Sequence, residues 1–235
     1  MGRNNKTDVL HIATISIASC IIFYISTQFL KLDYVLTSGV KIFGFLVIPI
    51  IYSLITKNMK DVKNIFTFKD LKSIKYGISL GIISCFTIIG LYGISRNFFD
   101  FSMVKPALMQ NSFLSTGGTD INLRNYILGC AYIICCNSFL EEVFFRGMIF
   151  LNIYNKGYKK FAYIFSALLF ATYHIAIFQS WFPLPLMIVI FIGLILGGLL
   201  FEYLNVKSKN MYNSWIVHAL TNVGINLVGL YIITR

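Results

Sequence analysis

Charge is what this sequence has least of. Only 12% of its residues are Asp, Glu, Lys or Arg, against roughly 25% in a soluble domain. The shortage is sharpest for acids, with nine Asp and Glu against twenty Lys and Arg in 235 residues, while 57% of the chain is hydrophobic. A conventional water-soluble fold is excluded, and the long apolar runs read as membrane spans. Cysteine offers no framework. Cys20, Cys85, Cys130, Cys135 and Cys136 all lie in apolar stretches and none forms a Cys-x-x-Cys pair, so they read as small buried hydrophobes rather than disulfides. His-Glu-x-x-His is absent, and no Asp falls at mid-depth in a span, which leaves no Ser-His-Asp set there. No basic, aromatic-studded segment points to DNA or RNA, so no nucleic-acid partner is expected.

What is present is a series of apolar runs punctuated by lysine. The runs are roughly Val9–Leu30, Tyr34–Ile55, Tyr76–Ser95, Tyr126–Tyr154, Phe161–Phe178, Leu184–Leu204 and Tyr212–Ile233. The first is too long for the apolar region of a signal peptide and no small-residue cleavage site follows it, so it is expected to be retained as a span. The fold class expected is therefore all-α, a polytopic transmembrane helix bundle of about seven spans. The basic segments alternate with the runs: the N-terminus, Lys57 to Lys75, Lys156 to Lys160, and Lys207 to Lys209. Basic loops stay on the cytoplasmic side. This predicts a multi-pass protein of the cell membrane with its N-terminus inside and its C-terminus outside. The Lys57–Lys75 segment, with six lysines and two aspartates, reads as a stretch lying along anionic headgroups. Between Arg96 and Arg124 an outside loop is expected, with a short helix near Pro106–Phe113 and a flexible run from Ser115 to Asp120.

Several polar residues interrupt the runs. Lys41 is expected to snorkel outward, with pairing to another helix as the alternative. Pro49 is a candidate kink. His11 sits near an interface and is read as solvated. Glu202 is expected to reach water at the inner end of its span. Gly193, Gly197 and Gly198 read as a small-residue face for close helix contact.

The fourth run is different, because Asn137-Ser-Phe-Leu-Glu-Glu-Val-Phe-Phe-Arg-Gly147 sets two acids and a base inside a long hydrophobic helix. A charge at bilayer depth costs about 2.5–3.5 kcal/mol on insertion scales, so these charges are paired, hydrated or functional. Glu142 and Arg146, four apart, face each other on a helix, and Glu141 points about 100° away. One reading is a structural Glu142–Arg146 pair with Glu141 free for chemistry; the other is that all three stabilise packing.

Depth links these acids to other helices. Glu142 is fourteen residues from Lys156 and His174 fourteen from Lys160, which puts both about 21 Å from the same surface. His218 and Asn222, nine and thirteen residues from Lys209, share one helix face near that layer. Glutamate with two histidines can activate water, directly or through Zn²⁺. An Asn amide and a His N–H can hold an oxyanion.

At these residues the chain resembles the CPBP family of intramembrane proteases, also called the Abi or CAAX protease family. The motifs that carry the likeness are Glu141-Glu142-Val-Phe-Phe-Arg146, Phe170-Ala-Thr-Tyr-His174 and His218-Ala-Leu-Thr-Asn222, in that order on late helices. The resemblance covers roughly Tyr126 to Tyr231 and suggests a bacterial member. Length and composition read as one membrane domain over residues 1–235; the resemblance implies a catalytic core in 126–235, beside N-terminal spans and a basic segment in 1–125. It further implies an intramembrane peptidase in which Glu141 and His174 activate the attacking water. His218 and Asn222 would hold the tetrahedral oxyanion, with Glu142, Arg146 and Phe170 in support. A metalloprotease-type site would use Glu141, His174 and His218 as Zn²⁺ ligands. The implied partners are the lipid bilayer and a membrane-associated peptide or protein substrate, in peptide maturation or bacteriocin immunity. The alternative function is a non-catalytic immunity or scaffold protein that binds a bacteriocin or a sensor kinase. A transporter is the third reading, and no internal repeat supports it.

Overall fold

Where apolar residues run for twenty or so positions between polar turns, the chain is helical. The computed structural model describes residues 5–56, 66, 74–111, 123–179, 181–208 and 210–234, and all regular structure among them is helix. Seven helices are long and apolar enough to cross a membrane. They are α1 (Asn5–Phe29), α2 (Val35–Ile55), α3 (Ile74–Ser95), α5 (Leu123–Asn155), α6 (Lys159–Phe178), α7 (Leu184–Ser208) and α8 (Tyr212–Ile233). A short helix, α4 (Val104–Asn111), lies between α3 and α5. Pro106 falls in its first turn, where a missing N–H costs nothing. The expected Lys57–Lys75 segment, apart from Phe66, Ile74 and Lys75, and the Ser115–Asp120 run lie outside the described residues.

Local chemistry sets the helix ends. Asp33 caps α2 by accepting from the Leu36 N–H at 2.9 Å, satisfying a donor that no helical carbonyl reaches. Gly157, with φ of +95°, makes the turn from α5 into α6, a backbone region that side chains rarely adopt. Lys156 pairs with Asp8 across 3.0 Å and joins the start of α1 to the end of α5. Lys6, Lys156, Lys159, Lys160 and Lys207 therefore gather at one basic end of the bundle.

The spans contain stretches of π-helix that composition does not announce: Ile25–Phe29, Phe43–Val47, Ile133–Asn137 and Glu142–Leu151. The last two flank a four-residue α-helical turn, Ser138–Glu141. Such wide turns recur at functional sites in helices, and here two of them flank the turn that ends at Glu141, with Glu142 opening the second. Another precedes Pro49, the expected kink position.

Lipid offers no hydrophobic drive for helix association, so packing and small residues do that work. An aromatic cluster joins α1, α2, α5 and α6. Phe45 stacks on Phe144 at 4.0 Å and meets Phe145 edge-on at 5.6 Å, while Phe145 meets Phe170 edge-on at 5.3 Å. Each such pair contributes about 0.5–1.5 kcal/mol beyond its area. The close small-residue seam is not where the sequence suggested. Gly193 and Gly197 have open space where a side chain would stand, and only Gly198 of that trio meets a neighbour, the Ala167 backbone. Among the described residues nothing packs against the open pair, so the small-residue face is narrower than expected. The tight seam instead joins α3 to α8. Gly77 lies against Asn213, Gly81 against Leu220 and Gly224 against the Cys85 backbone, and the Ser84 and Thr221 hydroxyls hydrogen-bond at 2.6 Å. The helix that carries His218 and Asn222 is fixed by this seam.

Candidate active site

Three helices of the second half meet at mid-depth. Helix α5 supplies Glu141, Glu142 and Arg146; α6 supplies Phe170, Tyr173 and His174; α8 supplies His218 and Asn222. Glu141, Glu142 and Arg146 are each 2% exposed or less. One oxygen of Glu141, Oε2, lies 3.4 Å from His174 Nε2 and 3.6 Å from His218 Nε2. These three ligand atoms lie within 4.8 Å of one another.

Hydrogen bonds on the far side of each ring decide what these nitrogens can do. His174 Nδ1 is 2.9 Å from the Phe170 carbonyl oxygen, and His218 Nδ1 is 3.0 Å from Glu142 Oε1. Both partners can only accept, so each Nδ1 carries the hydrogen. In the neutral ring that leaves each Nε2 with a lone pair, aimed at Glu141 Oε2. The same oxygen is buried with no hydrogen bond from the protein. Three acceptors converge on one small volume, which calls for a water, a shared proton or a cation between them. The two Glu141–histidine separations are compatible with a shared Zn²⁺. Tetrahedral Zn²⁺ with bonds of about 2.0–2.2 Å sets neighbouring ligands roughly 3.3–3.6 Å apart, and a carboxylate behind a ligating histidine is the usual support.

Glu142 serves His218 on one side and Arg146 on the other, with its Oε1 3.2 Å from Arg146 Nη1. The Arg146 guanidinium lies over the Phe170 ring at 4.0 Å and the Phe201 ring at 4.9 Å. Phe170 therefore orients His174 through its carbonyl and shields Arg146 with its ring. Asn222 is one turn from His218 on α8 and buried, and its carbonyl accepts from Asn226 Nδ2 at 2.7 Å.

Three expectations need correction. Lys41 does not snorkel: its side chain is 6% exposed and forms an ion pair with Glu141 Oε1 and a hydrogen bond with Asn137. The Phe23, Phe45 and Tyr173 rings around its ammonium make the inward position favourable. Glu202 does not reach water: it is wholly buried, within the field of Arg146 and Glu142. His11 is partly covered and meets Tyr52 edge-on at 6.4 Å. Asn137 and Tyr173 also belong to the site and were missed, donating to Glu141 Oε1 at 3.0 and 3.2 Å. The signals were available, since Asn137 precedes Glu141 by one helical turn and Tyr173 precedes His174. A cavity of about 530 Å³ lies between Tyr92, Arg96, Asp100, Lys105 and Tyr231, at the opposite end from Lys156 and Lys207, and no site residue lines it.

Residues 123–224 match the family model described as type II CAAX prenyl endopeptidase Rce1-like. No curated protein and no solved structure matches the chain. The matched segment holds all three motifs, from Glu141 to Asn222, and stops short of the helix that carries Lys41. The likeness over residues 123–224 of this multi-pass chain is consistent with the CPBP family.

Proposed function

We propose that the protein is an intramembrane endopeptidase that hydrolyses a peptide bond of a membrane-associated peptide or protein. The observation that carries this reading is the convergence of Glu141 Oε2 with the two histidine Nε2 atoms, deep in a domain of a peptidase family. A water seated among these acceptors donates a proton to Glu141, and its oxygen adds to the scissile carbonyl. The carbon becomes tetrahedral and the carbonyl oxygen takes the charge. Asn222 and His218 are the groups assigned to that oxyanion. His218 donates through Nε2 only in its doubly protonated form, with Glu142 accepting from Nδ1. Collapse expels the amine, which takes the proton held by Glu141, and the enzyme returns unchanged. His174 orients the water. If the site is loaded with Zn²⁺, Glu141, His174 and His218 hold it, and the ion supplies a more acidic water and an electrophile for the carbonyl.

The basic end is assigned to the cytoplasm, with the N-terminus inside, by the lysines gathered there. That sets the site about 20 Å below the cytoplasmic surface. Peptide maturation or bacteriocin immunity is the setting we propose for the cleavage. The test co-expresses a candidate membrane peptide with the wild type, Glu141→Ala and His174→Ala. The uncut peptide accumulates with both variants; full cleavage by either overturns the assigned roles. Protection of cells by a Glu141→Ala variant that cleaves nothing would favour a binding role instead.

A further inference from the structure

Glu141 has two oxygens, and they are treated differently. Oε1 receives three donors, from Lys41 Nζ, Asn137 Nδ2 and Tyr173 Oη. Oε2 receives none and faces the two imidazoles. Two of the three donors come from the Rce1-like domain, but Lys41 stands on α2, far outside residues 123–224. We propose that Lys41 is a positioning residue: it fixes Glu141 through Oε1, so that Oε2 is the one oxygen offered to the reacting water.

The surroundings of Lys41 are built for that contact. Its ammonium lies 5.5 Å from the centre of the Phe23 ring, 5.7 Å from Phe45 and 5.1 Å from Tyr173. The rings come from α1, α2 and α6, and Phe45 is wholly buried. A lysine six residues into a span has a stem long enough to seek the interface. This one turns inward into an aromatic cage that accepts a cation but supplies no carboxylate of its own. The ammonium's strong partners are the Glu141 carboxylate and the Asn137 side-chain oxygen.

The consequence is geometric. A carboxylate on a flexible glutamate side chain can rotate and exchange its oxygens. With three donors on Oε1, rotation breaks an ion pair and two hydrogen bonds together. The carboxylate is thereby held at one angle, with Oε2 3.4 and 3.6 Å from the ring nitrogens. Catalysis is sensitive to displacements of this kind, since a misplacement of about 1 Å can cost about 10²-fold in rate. On this account the N-terminal spans complete the site as well as anchoring the domain.

The inference rests on the hydrolytic reading above, and its test separates the two. Full-length protein in lipid nanodiscs is compared as wild type, Lys41→Met and Tyr173→Phe. Methionine keeps the length of the stem and removes the ammonium; phenylalanine keeps the ring and removes one donor. With a cleaved membrane peptide, Lys41→Met lowers kcat by about 10²-fold and leaves KM within about threefold, because substrate binding is untouched. Tyr173→Phe lowers kcat by a smaller factor, about tenfold, and covers the case in which Lys41→Met does not fold. The second readout needs no turnover. Infrared spectra of ¹³C-glutamate-labelled protein, differenced against Glu141→Gln, isolate the Glu141 carboxylate bands, and these bands move in Lys41→Met. Unchanged kcat, a loss confined to KM, or unmoved bands would each overturn the proposal. If the wild type cleaves no peptide yet the bands move, the hydrolytic reading fails while the Lys41 contact stands.

Discussion

Replacing Arg146 with methionine removes the cation that pairs with the buried carboxylate of Glu142. Arg146 is fully buried, pairs with Glu142 at 3.2 Å, and lies between the Phe170 and Phe201 rings. Glu202, also fully buried, lies within the field of the same guanidinium. Breaking a buried ion pair by deleting one partner costs about 3–5 kcal/mol, because the other charge is left without compensation. A desolvated cation–π contact adds up to about 2 kcal/mol, but it is lost together with the pair and the terms do not simply add. Arg146→Met is therefore expected to destabilise the protein by about 3–5 kcal/mol, roughly two to three and a half powers of ten in the folding constant. Glu142→Gln alone leaves the guanidinium without its carboxylate and is expected to cost a similar amount, about 3–5 kcal/mol. In the Arg146→Met background Glu142→Gln restores about 1–2 kcal/mol by removing the stranded charge. Reversible unfolding in mixed micelles, followed by the fluorescence of the two tryptophans, measures all three. An Arg146→Met loss below about 1 kcal/mol, or a double variant no better than the single one, would refute the reasoning.

The packing and the metal give two further expectations. Gly224→Ala drives a methyl group to 2.7 Å from the Cys85 carbonyl oxygen, so it should cost about 1–3 kcal/mol by forcing α3 off α8. Gly193→Ala and Gly197→Ala meet nothing within 4 Å and should be neutral or slightly stabilising by the same unfolding assay. Protein purified with Zn²⁺ present should hold about one ion per chain by elemental analysis. His174→Ala and His218→Ala should each lose more than about tenfold in Zn²⁺ affinity, the least that removing even a ligand's supporting partner costs; equal loading of all three would remove these residues from the metal's account.

The spans were easy to read because membrane physics leaves so few choices. A run such as Leu184–Leu204 has no other place to go than a helix across lipid, and α7 continues to Ser208. The depth argument brought Glu141, His174 and His218 into one layer because lysines mark the surface and the helical rise is constant. Depth says nothing of rotation, however, and rotation is what the sequence hid. Lys41 faces the aromatic cage rather than the headgroups because Phe23, Phe45 and Tyr173 come together only once α1, α2 and α6 are packed. Glu202 is buried for a similar reason, since Arg146 reaches across from α5 to the Gly198 turn of α7. The π-helical turns around Glu141 were equally hidden, because no residue type marks them and they depend on the packing of their neighbours.

The most direct measurement is the turnover of a cleaved membrane peptide by purified Glu141→Gln in nanodiscs. Glutamine keeps the volume and can still accept from Lys41 and Tyr173 through its side-chain oxygen, yet it cannot take a proton from water. The expected result is a fall in kcat of about 10²–10⁴-fold, the usual contribution of a general base, with KM close to that of the wild type. Turnover at the wild-type rate would contradict the account, because the oxygen facing His174 and His218 would then have no part in the chemistry.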